Sequence, residues 1–287
     1  MTEVRRYIDT HVHFWDPARL RYDWLETVPA INRPFLTVDL LDAASDLELE
    51  KIVFVQAAAA PEQALDEAAW ISELAVAEPR IAGIVADARL EWGEAVRPQL
   101  EGLKHYPLVK GIRRLIQGEG LDFATQPNFV RGVQIVAEFG FSFDICIFHP
   151  QAADAVTLVA QCPDVAFVLD HIGKPDIRNG VMEPWAARIS ELAAFPNVHC
   201  KLSGMVTEAD PETWTPDDLR PYAEHVLDSF GADRVMFGSD WPVATLASSY
   251  RRWFETALSF IDELSADEQS KILRENAIHF YKLESRD

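Results

Sequence analysis

The sequence is poor in cysteine and in positive charge, and it has neither a long apolar run nor a glycine-rich phosphate loop. Its three cysteines, Cys146, Cys162 and Cys200, are far apart and without CxxC spacing. That excludes a disulfide framework or zinc knuckle and leaves buried free thiols as the expectation. Neither Cys146 nor Cys200 has an adjacent base or helix N-terminus to make it a nucleophile. No stretch approaches the roughly 20 apolar residues of a membrane span, and the opening MTEVRRYIDTHVHF lacks a signal-peptide pattern. A cytoplasmic chain without a membrane partner is expected. The 26 Lys and Arg are outnumbered by 46 Asp and Glu, a formal net charge of −20. Repulsion therefore opposes nucleic-acid binding, and an anionic substrate would need a local basic site. No GxGxxG follows an apolar segment, which disfavours dinucleotide binding. No Gly/Ser linker or low-complexity tract marks a domain boundary.

What is present is an alternation. Eight short segments rich in β-branched residues read as strands: YIDTHVHF, KIVFVQ, IAGIVADARL, LVKGIRRL, FSFDICIF, AFVLDHIG, VHCKLSG and RVMFGSDW. Helical periodicity fills most of the gaps, as in PEQALDEAAWISELAVAEP and PDDLRPYAEHVLDSFG, and two more helices close the chain. Eight β-then-α units over residues 1–287 predict a single-domain (β/α)8 TIM barrel, an α/β fold. Connections into strands are brief (EPRI, CPDV, FPNV), whereas those leaving strands are long, at 15–36, 116–127 and 203–216. Chemistry in such barrels sits where strands end.

Polar residues crowd those ends: His11 and His13, Arg113 and Arg114, His149, Asp170 and His171, Lys201 and Ser203, Ser239 and Asp240. Period-two alternation puts His11 and His13 on one face, with Asp9 below them. Imidazole and carboxylate suit a divalent ion such as zinc. Arg113 and Arg114 point to opposite faces of a regular strand, so one reaches the mouth and the other pairs with helix carboxylates. Trp15, Tyr22 and Trp24 either line a pocket or anchor the long first loop. Lys174 either reaches substrate or pairs at the surface. His105, His199, His225 and His279 read as surface or packing residues.

IDTHVHFWDP, LVKGIRRL, LDHIGKP, FGSDWP and ENAIHFYKL, in this order, resemble the amidohydrolase superfamily, and within it the branch of amidohydrolase-related lactonases. The resemblance spans essentially the whole chain. It implies the barrel, and hydrolysis of sugar-acid lactones such as fucono- and rhamnonolactones, or of 2-pyrone-4,6-dicarboxylate and muconolactones. Related amidohydrolases also carry out metal-dependent nonoxidative decarboxylation of unsaturated or aromatic acids, the alternative activity. Some members of the branch hold one zinc ion and others need no metal. By position it assigns the metal to His11, His13 and Asp240, with His149 and His171 as further candidates. It makes Asp240 the base and His171 its catalytic partner. Arg113, Trp15, Lys174 and His149 become substrate-binding residues. Lys110 lies two to three residues early for the carboxylated lysine of some members, so a binuclear centre is not expected. The substrate partner is a small lactone, and the oligomeric state is left open.

Overall fold

All eight β-branched segments become strands in a computed structural model that describes residues 5–283. They are β1 (Arg6–Val12), β2 (Glu48–Val55), β3 (Ile81–Ala86), β4 (Val109–Ile112), β5 (Ser142–Ile145), β6 (Phe167–Leu169), β7 (Val198–Leu202) and β8 (Val235–Phe237). All are parallel and neighbour one another in chain order. The ring closes between β8 and β1, where Val12 bridges Trp241 and the Thr10 hydroxyl donates to the Phe237 carbonyl at 2.6 Å. The fold is the expected (β/α)8 barrel.

Helices follow each strand: α1 (Thr37–Ala43), α2 (Ala64–Ala77), α3 (Arg97–Lys104), α4 (Pro127–Glu138), α5 (Ala152–Gln161), α6 (Trp185–Ala193), α7 (Pro216–Phe230) and α8 (Tyr250–Ile261). Then come α9 (Ala266–Ser270) and α10 (Asn276–Tyr281), joined by a π turn at Lys271–Glu275. Helix starts carry local signals, including Pro216 at the first turn of α7 and the Ser265–Glu268 capping box of α9. The short helices α1 and α3 were not evident from periodicity, since α1 buries only Leu40 and α3 only Leu100 and Leu103. Among the described residues no helix is long and apolar enough to cross a membrane.

Inside the ring, Ile8, Val53, Val55, Val85, Val168 and Met236 meet Ala277, Tyr281 and Leu283, so the C-terminal segment plugs the end where strands begin. Each such aliphatic side chain contributes roughly 1.5–3 kcal/mol when fully buried. An apolar floor results, and the polar strand ends lie at the opposite end. The β1–β2 register slips between Asp9 and Val12, because Asp9 pairs with Ile52 and Val12 with Phe54. This bulge corrects the expectation for Asp9. Its carboxylate leaves the histidine face and accepts from Tyr250 Oη at 2.8 Å, from Ser239 N at 2.8 Å and from His11 N at 3.1 Å. Burial pushes Asp9 up to about 6.

Candidate active site

Four residues from three strand ends converge above the floor. His11 and His13 extend from β1, with ring centroids 4.9 Å apart, and His171 after β6 brings its ring 4.3 Å from that of His11. Asp240, after β8, is held by its own N–H donating to the His11 carbonyl at 2.8 Å. Its Oδ1 lies 3.3 Å from His13 Nε2, 3.8 Å from His171 Nε2 and 3.9 Å from His11 Nε2. Three imidazoles thus face one carboxylate oxygen, and all four side chains are buried.

His171 arrives by an uncommon backbone route. Residues 171–174 all have positive φ, at 53°, 50°, 75° and 48°. A left-handed turn costs non-glycine residues roughly 1–2 kcal/mol each. The turn is held by Lys174 N–H donating to the His171 carbonyl at 2.9 Å and by the Trp185 indole donating to the Ile172 carbonyl at 2.7 Å. It aims both His171 and Lys174 at one cavity. Gly204 makes room for it, since a Cβ there would meet His171 Nδ1 at 2.3 Å.

Burial holds all three imidazoles below the ordinary histidine value, His11 and His171 well below it, so they are neutral. Burial alone would raise Asp240, but the positive charge that faces it, from His171 or His13 when protonated and from Lys174, outweighs that and holds it below the usual carboxylate range. His13 decides whether a metal fits. Its Nδ1 lies 2.7 Å from the Val55 carbonyl, which can only accept, so Nδ1 carries the proton and Nε2 presents a lone pair to Asp240. Two acceptors 3.3 Å apart repel unless a cation lies between them. Tetrahedral zinc arms of about 2.0–2.1 Å separate neighbouring ligand atoms by about 3.3 Å. The nitrogen and oxygen donors of His11, His13 and Asp240, mutually within 4.8 Å, therefore fit a divalent ion. At His11 Nε2 that ion would compete with Arg113 Nη1, 3.2 Å away.

The cavity above this nest encloses about 240 Å³, small beside the roughly 300–1,000 Å³ of ligand pockets in general. Its wall includes His13, Arg113, His171, Lys174 and Asp240 of the expected residues. Arg113 is the arginine that reaches the mouth, and Arg114 turns away to Glu91 and Glu119. The arginine is not free, however. Its Nη1 also lies 3.3 Å from Asp170 Oδ2, and Nη2 donates to the Gln56 carbonyl at 2.5 Å. Lys174 Nζ sits 3.8 Å from Glu208 and 5.3 Å from the Phe148 ring centroid.

Two expected substrate contacts lie elsewhere. Trp15 is fully buried, its indole donates to the Arg33 carbonyl at 2.8 Å, and its ring packs edge-on against Trp24 and Phe35. It anchors the first loop, and Trp24 supplies the aromatic wall instead. His149 begins a short turn after β5, half-buried, with its N–H donating to the Lys174 carbonyl. It joins neither the wall nor the histidine nest, so it is not placed as a ligand. Cys146 is a buried free thiol, as expected, and also lines the wall, where burial pushes it up to about 11. Gln117, Leu115 and the Ala57–Ala58 turn complete the wall without having been anticipated.

The amidohydrolase family profile matches residues 8–283. The chain belongs to the amidohydrolase family. It is 33% identical over 285 residues to an L-fucono-1,5-lactonase of Burkholderia ambifaria, covering 96% of each chain. Another L-fucono-1,5-lactonase, from Burkholderia multivorans, is 35% identical over 281 residues, covering 88% of this chain and 90% of that protein. A crystal structure of an amidohydrolase from Burkholderia multivorans with bound zinc superposes with a TM-score of 0.87 at 33% identity, covering 98% of this chain and 100% of that one.

Proposed function

We propose that this amidohydrolase opens the ring of a small, uncharged sugar-acid lactone by water attack on the ester carbonyl. The observation that carries the reading is the convergence of His11, His13 and His171 on Asp240 beneath a cavity sized for a single ring. The relatives named L-fucono-1,5-lactonase support the substrate class. Charge within the pocket supports an uncharged ring, because each cation on its wall already has a carboxylate, Asp170 for Arg113 and Glu208 for Lys174. The basic site that a dicarboxylate substrate needs is thereby neutralised.

His11, His13 and Asp240 would hold one divalent ion, zinc by its donor preference. The chemistry such an ion supplies is polarisation of the lactone carbonyl and of bound water. The chain's own groups do the rest. Asp240, held ionised, takes a proton from the attacking water, and the protonated carboxyl then delivers it to the ring oxygen as the C–O bond breaks. His171 stabilises the developing oxyanion, and the Ser203 hydroxyl, 2.9 Å from its Nδ1, holds the ring in place. Trp24, Leu115 and Val243 give the cavity an apolar wall.

A pH-indicator assay against fucono-, rhamnono-, galactono- and muconolactones tests this, with acid release above the spontaneous rate expected for one aldonolactone set. Activity on 2-pyrone-4,6-dicarboxylate alone would overturn the uncharged-substrate assignment. Carbon dioxide release from an aromatic acid, with no lactone turned over, would replace hydrolysis by decarboxylation.

A further inference from the structure

Beneath His11 lies a set of buried charges, Lys201, Asp144 and Asp170, none of which lines the cavity itself. Lys201, inside the barrel on β7 and fully buried, places Nζ 2.6 Å from Asp144 Oδ2, 3.0 Å from Asp170 Oδ1 and 3.3 Å from His11 Nδ1. Asp170 Oδ1 is itself 3.2 Å from His11 Nδ1, and Asp170 Oδ2 pairs with Arg113. The chain of contacts ends on the C-terminal plug, where Tyr281 Oη donates to Asp144 Oδ2 at 2.8 Å.

We propose that Asp170 and Lys201 are positioning residues that fix His11 as its Nδ1–H tautomer and so direct the Nε2 lone pair at the reacting centre. The donors and acceptors around the ring carry this. At Nε2 the nearest group is Arg113 Nη1 at 3.2 Å, which can only donate, while the Asp240 acceptor is farther, at 3.9 Å. At Nδ1 the Asp170 acceptor at 3.2 Å is nearer than the Lys201 donor at 3.3 Å, and Lys201 is drawn more closely to both carboxylates. The Arg113 donor at Nε2 leaves the proton on Nδ1, beside Asp170 Oδ1, an acceptor that no other hydrogen bond satisfies among the described residues. Lys201 fixes the carboxylate that selects the tautomer, as outer partners of active-site histidines do. Two cations, Lys201 and Arg113, balance two carboxylates, Asp144 and Asp170, so the set is neutral as a whole while its orientation at His11 is defined.

The inference rests on His11 belonging to the active site and not on which lactone is turned over. Its test is therefore independent of substrate: long-range proton–nitrogen correlation on protein labelled with ¹⁵N-histidine, as purified and with zinc added, the His11 signals being identified by their loss in His11→Gln. A protonated Nδ1 and an unprotonated Nε2 are expected in both samples. A proton on Nε2 in the protein as purified overturns the proposal, whether or not any variant folds. In Asp170→Asn, either amide orientation turns an N–H toward Lys201 or Arg113, so the acceptor at Nδ1 weakens. There kcat should fall about 10- to 100-fold with KM within about threefold, and the His11 nitrogen signals should move. A folded Asp170→Asn protein with parental kcat and unmoved His11 signals would equally reject it, since a purely structural pair would shift only melting temperature.

Discussion

Below His11 the ionised groups are paired at contact distance, Lys201 with Asp144 and Asp170, and Arg113 with Asp170. Above it the His13 lone pair meets the Asp240 carboxylate, acceptor against acceptor. The lower layer is balanced in charge, although Asp144 Oδ1, Asp170 Oδ1 and Arg113 Nε have no hydrogen-bond partner among the described residues. The upper one is complete only with a proton, a water or a metal ion, and that incompleteness is what permits chemistry. One ring, His11, belongs to both layers and transmits the order of the first to the second.

Substitutions should separate the two layers by what they damage. The largest effect is expected in the upper layer: Asp240→Asn should lower turnover by at least about 10³-fold, toward the upper range for acid–base groups. Asparagine tolerates the positive φ of 61° at this position, so circular dichroism and melting temperature should stay near those of the parent. Retained turnover would remove Asp240 as the base. Next comes the lower layer, where Lys201→Met leaves Asp144 and Asp170 buried without their ammonium and should cost about 3–5 kcal/mol in urea unfolding. Lys174→Met, at the pocket wall and partly exposed, should cost under about 1 kcal/mol. Equal losses for the two lysines would erase the contrast.

Glu67 sharpens the comparison because it is a buried acid without a paired cation. Burial pushes it from 4.5 up to about 8, although its Oε1 accepts from Ala57 N–H at 3.2 Å beside the cavity wall. The unfolded chain releases this proton near 4.5 and the folded chain near 8. Its contribution is therefore fully present below about pH 4.5 and is lost as pH rises through about 8, a span worth a few kcal/mol. Glu67→Gln keeps the amide acceptor and should flatten the fall of melting temperature between about pH 5 and pH 8.5. An unchanged slope would assign the dependence to other groups. A further test concerns metal: His13→Gln should weaken zinc binding by at least about 10- to 100-fold in calorimetric titration, and undiminished affinity would take His13 out of the ligand set.

Sequence alone determined the barrel, its closing helices and the end at which chemistry belongs, because β-branched runs, helical periodicity and loop length are local properties of the chain. It also singled out His11, His13, His171 and Asp240 through short motifs at strand ends. The misplacement of Trp15 and His149 has a physical source, since a loop residue's neighbours depend on how the loop folds back. Trp15 meets Arg33 and Phe35, some twenty residues on, and its indole is consumed there. Only the tertiary structure decided that Asp9 turns outward at a bulge, that four left-handed residues aim His171 and Lys174 at one cavity, and that Arg113 is already neutralised by Asp170. Each depends on groups from distant strands, whose spacing no local pattern encodes.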